Sequence, residues 1–132
     1  MAKIFGKHLI LDITGMNDAI SDAIVIQKFI DELVFDVLKM KKKGETIFEY
    51  FADTHYNRQH DIVGYSVCQI ISLSSITLHL NDLSGTGYMD IFTCGDILTD
   101  DIINCVRKYF NPETIHKLLI SRDAYSGPKI IS

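Results

Sequence analysis

Apolar residues recur along this chain with two periods, and each change of period marks an element. The run His8-Leu9-Ile10-Leu11-Asp12-Ile13 predicts a buried strand, which Gly15 breaks. Further on, Ile26, Phe29, Ile30, Leu33, Val34, Val37 and Leu38 follow the spacing of a helix with one buried face. Asn17 or Asp18 is its expected cap. Lys39, Lys41, Lys42 and Lys43 suit the negative pole of its dipole, and Gly44 is its expected stop. Residues 46–51 predict a second strand, and the polar stretch 52–61 a loop. Residues 64–71 predict a third strand, with Ser66, Cys68, Ile70 and Ser72 on one face and Val67, Gln69, Ile71 and Leu73 on the other. In the fourth, residues 76–80, the apolar Ile76, Leu78 and Leu80 oppose Thr77 and His79.

Residues 81–87 supply turn chemistry, with Gly85 and Gly87 free to take positive φ. The chain then returns as a strand over 88–93, so that a hairpin brings His79 and Cys94 into one sheet. A second helix runs from Thr99 or Asp100 to Phe110, with Ile102, Ile103, Val106 and Phe110 as its buried stripe and Cys105 a small hydrophobe beside it; Asn111-Pro112 ends it. Residues 115–120 predict a last strand. The tail 121–132 is expected to be mobile except where Ile130 and Ile131 find a partner. The order β-α-β-β, then β-β-α-β, predicts an α+β two-layer sandwich: helices on one face of a mainly antiparallel sheet, the other face free to pair or to line a site.

Composition narrows the class. A chain of 132 residues, 47% hydrophobic and 23% charged, fits one domain spanning residues 1–132. Its net charge of -4 gives no electrostatic footprint for nucleic acid or an anionic membrane, which leaves a small substrate or a protein partner. No apolar run approaches the roughly 18 residues of a membrane span. The start, Met1 to His8, leads into a strand and lacks the pattern of a signal peptide, so a cytoplasmic location is expected. Cys68, Cys94 and Cys105 are an odd set without metal-ligand spacing, which suits free thiols and no metal. The mean hydropathy of +0.13 is high for a small monomer and points to a covering subunit.

The candidate chemistry lies in Leu73-Ser74-Ser75-Ile76-Thr77-Leu78-His79 and Phe92-Thr93-Cys94-Gly95: a hydroxyl, an imidazole and a thiol on or beside β-type runs. Taken singly, each has an ordinary structural explanation in a turn, a strand or a packed core. His55, Tyr56, Arg58 and His60 make the 52–61 stretch a source of further pocket contacts.

Four ordered blocks resemble the short prokaryotic S-adenosylmethionine decarboxylases: Gly6-Lys7-His8-Leu9-Ile10-Leu11-Asp12, Gly64-Tyr65-Ser66, Ser74 to His79, and Asp90-Ile91-Phe92-Thr93-Cys94-Gly95. The resemblance implies a proenzyme that cuts itself between Leu73 and Ser74, converting Ser74 into a pyruvoyl group that forms a Schiff base with the substrate amine. By the same resemblance Ser66 and His79 are processing residues and Cys94 the proton donor. Cleaved protomers are expected to form a homodimer with sites near the interface, supplying spermidine synthesis.

Two positions depart from the family pattern. Leu73 replaces the glutamate before the modified serine, and Leu83 stands where a carboxylate holds the ribose hydroxyls. Asp82 is the neighbouring substitute, and Tyr56 or His60 the candidate for the stacking aromatic. Leu83 also keeps open the same chemistry on ornithine or arginine. The third reading, an unprocessed silent homologue, is opposed by the presence of Ser66, Ser74, His79 and Cys94 together.

Overall fold

The computed structural model describes residues 5–132. Residues 1–4, and with them the leading half of the segment read as a non-signal start, lie outside the described residues. Seven strands form one sheet: β1 (Gly6–Thr14), β2 (Ile47–Phe51), β3 (Gly64–Ile71), β4 (Ser74–Asn81), β5 (Thr86–Thr93), β6 (Thr114–Arg122) and β7 (Lys129–Ile130). Their order is β2-β3-β4-β5-β1-β6-β7, and every pairing is antiparallel. The predicted α+β sandwich is therefore present, with its strands longer at most ends than the periodicity implied.

Alternation decides what each face does. Leu9, Leu11, Ile13, Val67, Ile71, Ile76, Leu78, Met89 and Ile91 are buried on one face, against α1 (Ala23–Glu32) and α3 (Thr99–Phe110). Phe29 of α1 and Phe110 of α3 meet edge to face at 5.0 Å in the middle of this layer. Among the described residues no helix covers the opposite face, and Ile47, Phe51, Ile70 and Tyr88 are exposed there. Gln69 falls on the buried face, as its position predicts, and is satisfied there by the Gly44 and Ile70 carbonyl oxygens and by the Thr46 hydroxyl.

The single long helix expected after Gly15 is instead three pieces. Asn17 caps a 3-10 turn, Asp18–Ser21, by accepting from the Ala19 amide, and Asp22 caps α1 by accepting from Ile24 and Val25. A π-turn, Leu33–Val37, follows. The apolar spacing reports the buried stripe and is indifferent to such shifts in hydrogen bonding. Lys39, at φ +56°, takes the left-handed terminal position expected of Gly44, and the Met40 amide closes back on the Val34 carbonyl. The lysines thus lie beyond the helix, and Lys42 folds back onto Asp31 at 2.9 Å.

Two smaller expectations are also corrected. The 52–61 stretch contains a short helix, α2 (His55–Gln59), whose first turn is capped by Thr54. Gly85 takes positive φ, at +69°, but Gly87 lies inside β5 with ordinary strand geometry. In the C-terminal tail Ile130 and Ile131 find the partner allowed for them: β7 pairs with β6, and the Ile131 and Ser132 amides bond to Leu119.

Cys105 sits buried between the helices and donates its S–H to Glu32. Burial, reinforced by the Glu32 charge, pushes that thiol up to about 12, so it is no nucleophile near neutrality. The Lys108 ammonium holds the Glu32 carboxyl below its ordinary value of 4.5, with burial opposing and Tyr109 and Cys105 adding. A carboxyl lowered by folding stabilises above its ordinary value and loses that contribution as pH falls through the folded value. Glu32→Gln is therefore expected to flatten the fall in Tm between about pH 5 and about pH 3. An equal fall in both proteins would refute this role for the cluster.

Candidate active site

The β3–β4 hairpin closes in two residues, Ser72 and Leu73, and Ser72 holds φ +47°, a region non-glycine residues seldom occupy. Ser74 then opens β4 opposite Ile71, with its side chain on the buried face beside the end of β5. Its hydroxyl donates to Thr93 Oγ1 at 3.1 Å and accepts from the Cys94 amide at 3.2 Å, with Cys94 Sγ at 3.9 Å. Thr93 is fully buried, and its hydroxyl oxygen also accepts from the Gly95 amide at 3.0 Å. Cys94 and Leu73 are exposed. A hydroxyl held in one orientation beside a thiol, next to an exposed and tightly turned peptide, is one half of the predicted machinery.

The other half lies elsewhere. Ser66 of β3 and His79 of β4 are direct cross-strand partners, joined through Oγ and Nδ1 at 2.9 Å. They occupy the uncovered face. His79 is five positions beyond Ser74, roughly 17 Å along the strand and on the opposite side of the sheet. The structure thus brings Ser74 to Cys94 and Ser66 to His79, and separates the two pairs. The hairpin does put His79 in the sheet that ends beside Cys94, but at its far end: His79 pairs with Tyr88, whereas Ser75 pairs with Phe92.

A cleft of about 260 Å³ adjoins the Ser66–His79 pair, bounded by Phe51, Asp61, Ile62, Asn81, Thr86 and Tyr88. Gly64 is in its floor at φ +135°, and a Cβ there would lie 2.3 Å from the Leu80 carbonyl oxygen, so no side chain fits. None of the substrate residues expected from the sequence lines this cleft. Asp82 accepts from the Tyr50 hydroxyl at 3.2 Å, while its Oδ1 is buried without a hydrogen-bond partner among the described residues. Burial, followed by the Asp82 charge, raises the Tyr50 hydroxyl above its ordinary value. The rings of Tyr56, on α2, and His60, just after it, lie tilted to one another at 4.3 Å and face solvent. The residues that sequence reasoning passed over are Thr93 and Asp61; a threonine in a β-run and an aspartate in a polar loop give no signal by themselves.

Among the described residues no group of His, Cys, Asp or Glu side chains converges as a metal site, and no helix is long and apolar enough to cross a membrane.

The S-adenosylmethionine decarboxylase family model matches residues 7–123, and the chain belongs to that family. It is 32% identical over 122 residues to an S-adenosylmethionine decarboxylase proenzyme of Methanococcus maripaludis strain C7, covering 91% of each chain. Identity to the proenzyme of Methanococcus vannielii is 28%, with the same coverage. The crystal structure of the adenosylmethionine decarboxylase from Aquifex aeolicus VF5 shares the fold, with a TM-score of 0.71 over 89% of this chain and 90% of that one at 20% identity.

Thr93→Val keeps the side-chain shape but removes the oxygen that serves Ser74 and Gly95. The expected loss is about 1–3 kcal/mol of stability, with Thr93→Ser close to wild type. Unchanged denaturation midpoints in both variants would show that the Thr93 hydroxyl carries none of this end of the sheet.

Proposed function

We propose that the protein is an S-adenosylmethionine decarboxylase made as a proenzyme, one domain over its 132 residues, that cuts itself between Leu73 and Ser74. The observation that carries this reading is the Ser74 hydroxyl, buried and oriented by Thr93 and the Cys94 amide two residues after the left-handed Ser72. Family membership and the proenzyme relatives support it.

The chemistry follows from the residues. Ser74 Oγ attacks the Leu73 carbonyl carbon, the peptide C–N bond breaks, and the hydroxyl proton ends on the freed Ser74 amine, leaving an ester. Removal of the Ser74 α-proton by a base then expels the Leu73 carboxylate by β-elimination. The dehydrated residue takes up water and loses ammonia, leaving a pyruvoyl group at residue 74. That group supplies a ketone for the substrate amine and an electron sink as carbon dioxide leaves. Cys94, its thiol beside residue 74, returns a proton to the substrate carbon. Leu73 contributes only its carbonyl to the cleavage, so its departure from the family pattern leaves the step intact.

His79, hydrogen-bonded to Ser66, is the base for the α-proton. It cannot reach Ser74 of its own chain, so the pair acts on the Ser74 of a second copy. The uncovered sheet face, with Ile47, Phe51 and Tyr88 exposed, supports a homodimer built on that face. Three free thiols suit a cytoplasmic enzyme.

Intact mass under denaturing conditions is the first test. Two fragments divided between Leu73 and Ser74 are expected, the second with a mass fitting a pyruvoyl terminus; a single 15.0 kDa chain would overturn the reading. Co-expression tests the dimer. Ser74→Ala and His79→Ala chains, each uncut alone, are expected to yield cleavage of the His79→Ala chain when mixed in one dimer. Absence of cleavage in a proven heterodimer would refute action in trans.

A further inference from the structure

Gln69 is fully buried on the helical face of β3, between the apolar Val67 and Ile71 and opposite Ile76. A leucine there would need no partners, whereas an amide in such a layer is costly unless its polar atoms are bonded. Gln69 meets that condition at the edge of its own strand. β2 pairs with β3 only as far as Ile47 and Cys68, and residues 43–46 lie along the edge that β2 leaves open. Gln69 Nε2 donates to the Gly44 carbonyl at 3.2 Å and to the Ile70 carbonyl at 3.0 Å, and its Oε1 accepts from the Thr46 hydroxyl. The Lys43 amide donates to the same Ile70 carbonyl at 2.8 Å, so both lone pairs of that oxygen are engaged. Helix α1 holds the segment from its other side: Gln27 Nε2 donates to Thr46 Oγ1 at 2.8 Å, and Asp31 accepts from Lys42.

We propose that Gln69 is a positioning residue for self-cleavage: by fixing the Ile70 carbonyl against the 40–46 strap, it holds the Ser72 turn in the conformation from which Ser74 Oγ attacks the Leu73 carbonyl carbon. The assignment rests on the self-cleavage reading above. Ile70 stands two residues before Ser72, whose φ of +47° is a strained value for a serine, and such backbone persists only where its surroundings over-determine it. The strap supplies constraint on both flanks of the turn. Through Gln69 and Lys43 it fixes the end of β3. Through Met40, whose Sδ accepts from the Thr93 hydroxyl at 3.9 Å, it covers the group that orients Ser74. Gln69 touches none of the reacting atoms and acts through Ile70 and the turn. Attack within a turn depends steeply on placement, and an error of about 1 Å costs about a hundredfold in rate.

The test follows the full chain as it is made. Cell-free synthesis is quenched in denaturant at intervals, and cut and uncut chains are separated by mass, for wild type, Gln69→Leu, Thr46→Val and Thr46→Ser. Gln69→Leu keeps the bulk and loses every bond, and it is expected to cleave roughly ten- to a hundredfold more slowly than wild type. Thr46→Val is expected to slow cleavage by about two- to tenfold, and Thr46→Ser, which keeps the hydroxyl, to match wild type. Val106→Ala, a truncation of a buried side chain in α3, controls for lost stability: it is expected to cleave at the wild-type rate even where it melts below Gln69→Leu. Hydroxylamine, which cleaves an ester far faster than a peptide, locates the slow step. Gln69→Leu is expected to stay slow in its presence, because the ester itself forms slowly. Wild-type cleavage by Gln69→Leu, an equal slowing in Val106→Ala, or recovery of Gln69→Leu with hydroxylamine would overturn the assignment. A wild-type chain that stays whole overturns the self-cleavage reading and this assignment with it, whereas a wild type that cuts alongside an equally fast Gln69→Leu fails the assignment alone.

Discussion

Two strand residues an odd number of positions apart point to opposite faces of a sheet, and no rotamer change alters that. Ser74 and His79 are five apart on β4, so one hydroxyl is turned towards the helical layer and one imidazole towards open space. The rest of the molecule's functional layout depends on this. The register to β5 places Thr93 and Cys94 at the Ser74 end, and the register to β3 places Ser66 opposite His79 at the other. A slip of one residue in either pairing would turn β4 over and dissolve both pairs together.

The Ser74 end is held from behind by β1. Lys7 of β1 pairs with Thr93, and at the neighbouring Gly6 a Cβ would stand 2.0 Å from the Thr93 carbonyl oxygen. Only glycine lets the two backbones lie this close, and that closeness fixes the Thr93 carbonyl next to the Cys94 and Gly95 amides that grip the hydroxyls. The His79 end, by contrast, is shaped by loops: Asp61 and Ile62 close the cleft, and Asn81 ties that loop to the β4–β5 turn. One end of the sheet is thus rigid through backbone packing and the other through side-chain hydrogen bonds.

Much of this was legible in the sequence wherever a period was long enough to express itself. The strands from Gly64 to Thr93 and the helix ending at Asn111-Pro112 lie close to where alternation and punctuation put them. The α1 region was misread because Asp22 restarts the helix inside a run whose apolar stripe never breaks. Helix α2 was invisible because none of its side chains is buried, so it has no stripe at all. The β7 pairing involves two residues, too few for any period. The separation of Ser74 from His79 was available in principle, since the alternation that took His79 off the apolar face also put Ser74 on the other side. Nearness in sequence concealed it. Asp61 was beyond reach, because its place depends on a hydrogen bond to a residue twenty positions away.

The strand order gives the β3–β4 turn a consequence of its own. A chain severed there would leave β1, β2 and β3 on one piece and β4 to β7 on the other, yet β1 lies between β5 and β6, and β3 lies against β4. The two pieces would be woven together along three seams, so parting them would mean unfolding the sheet. Breaking the covalent chain at this point would change its chemistry and its ends while leaving the architecture whole, as though the molecule had been designed to treat that peptide bond as scaffolding.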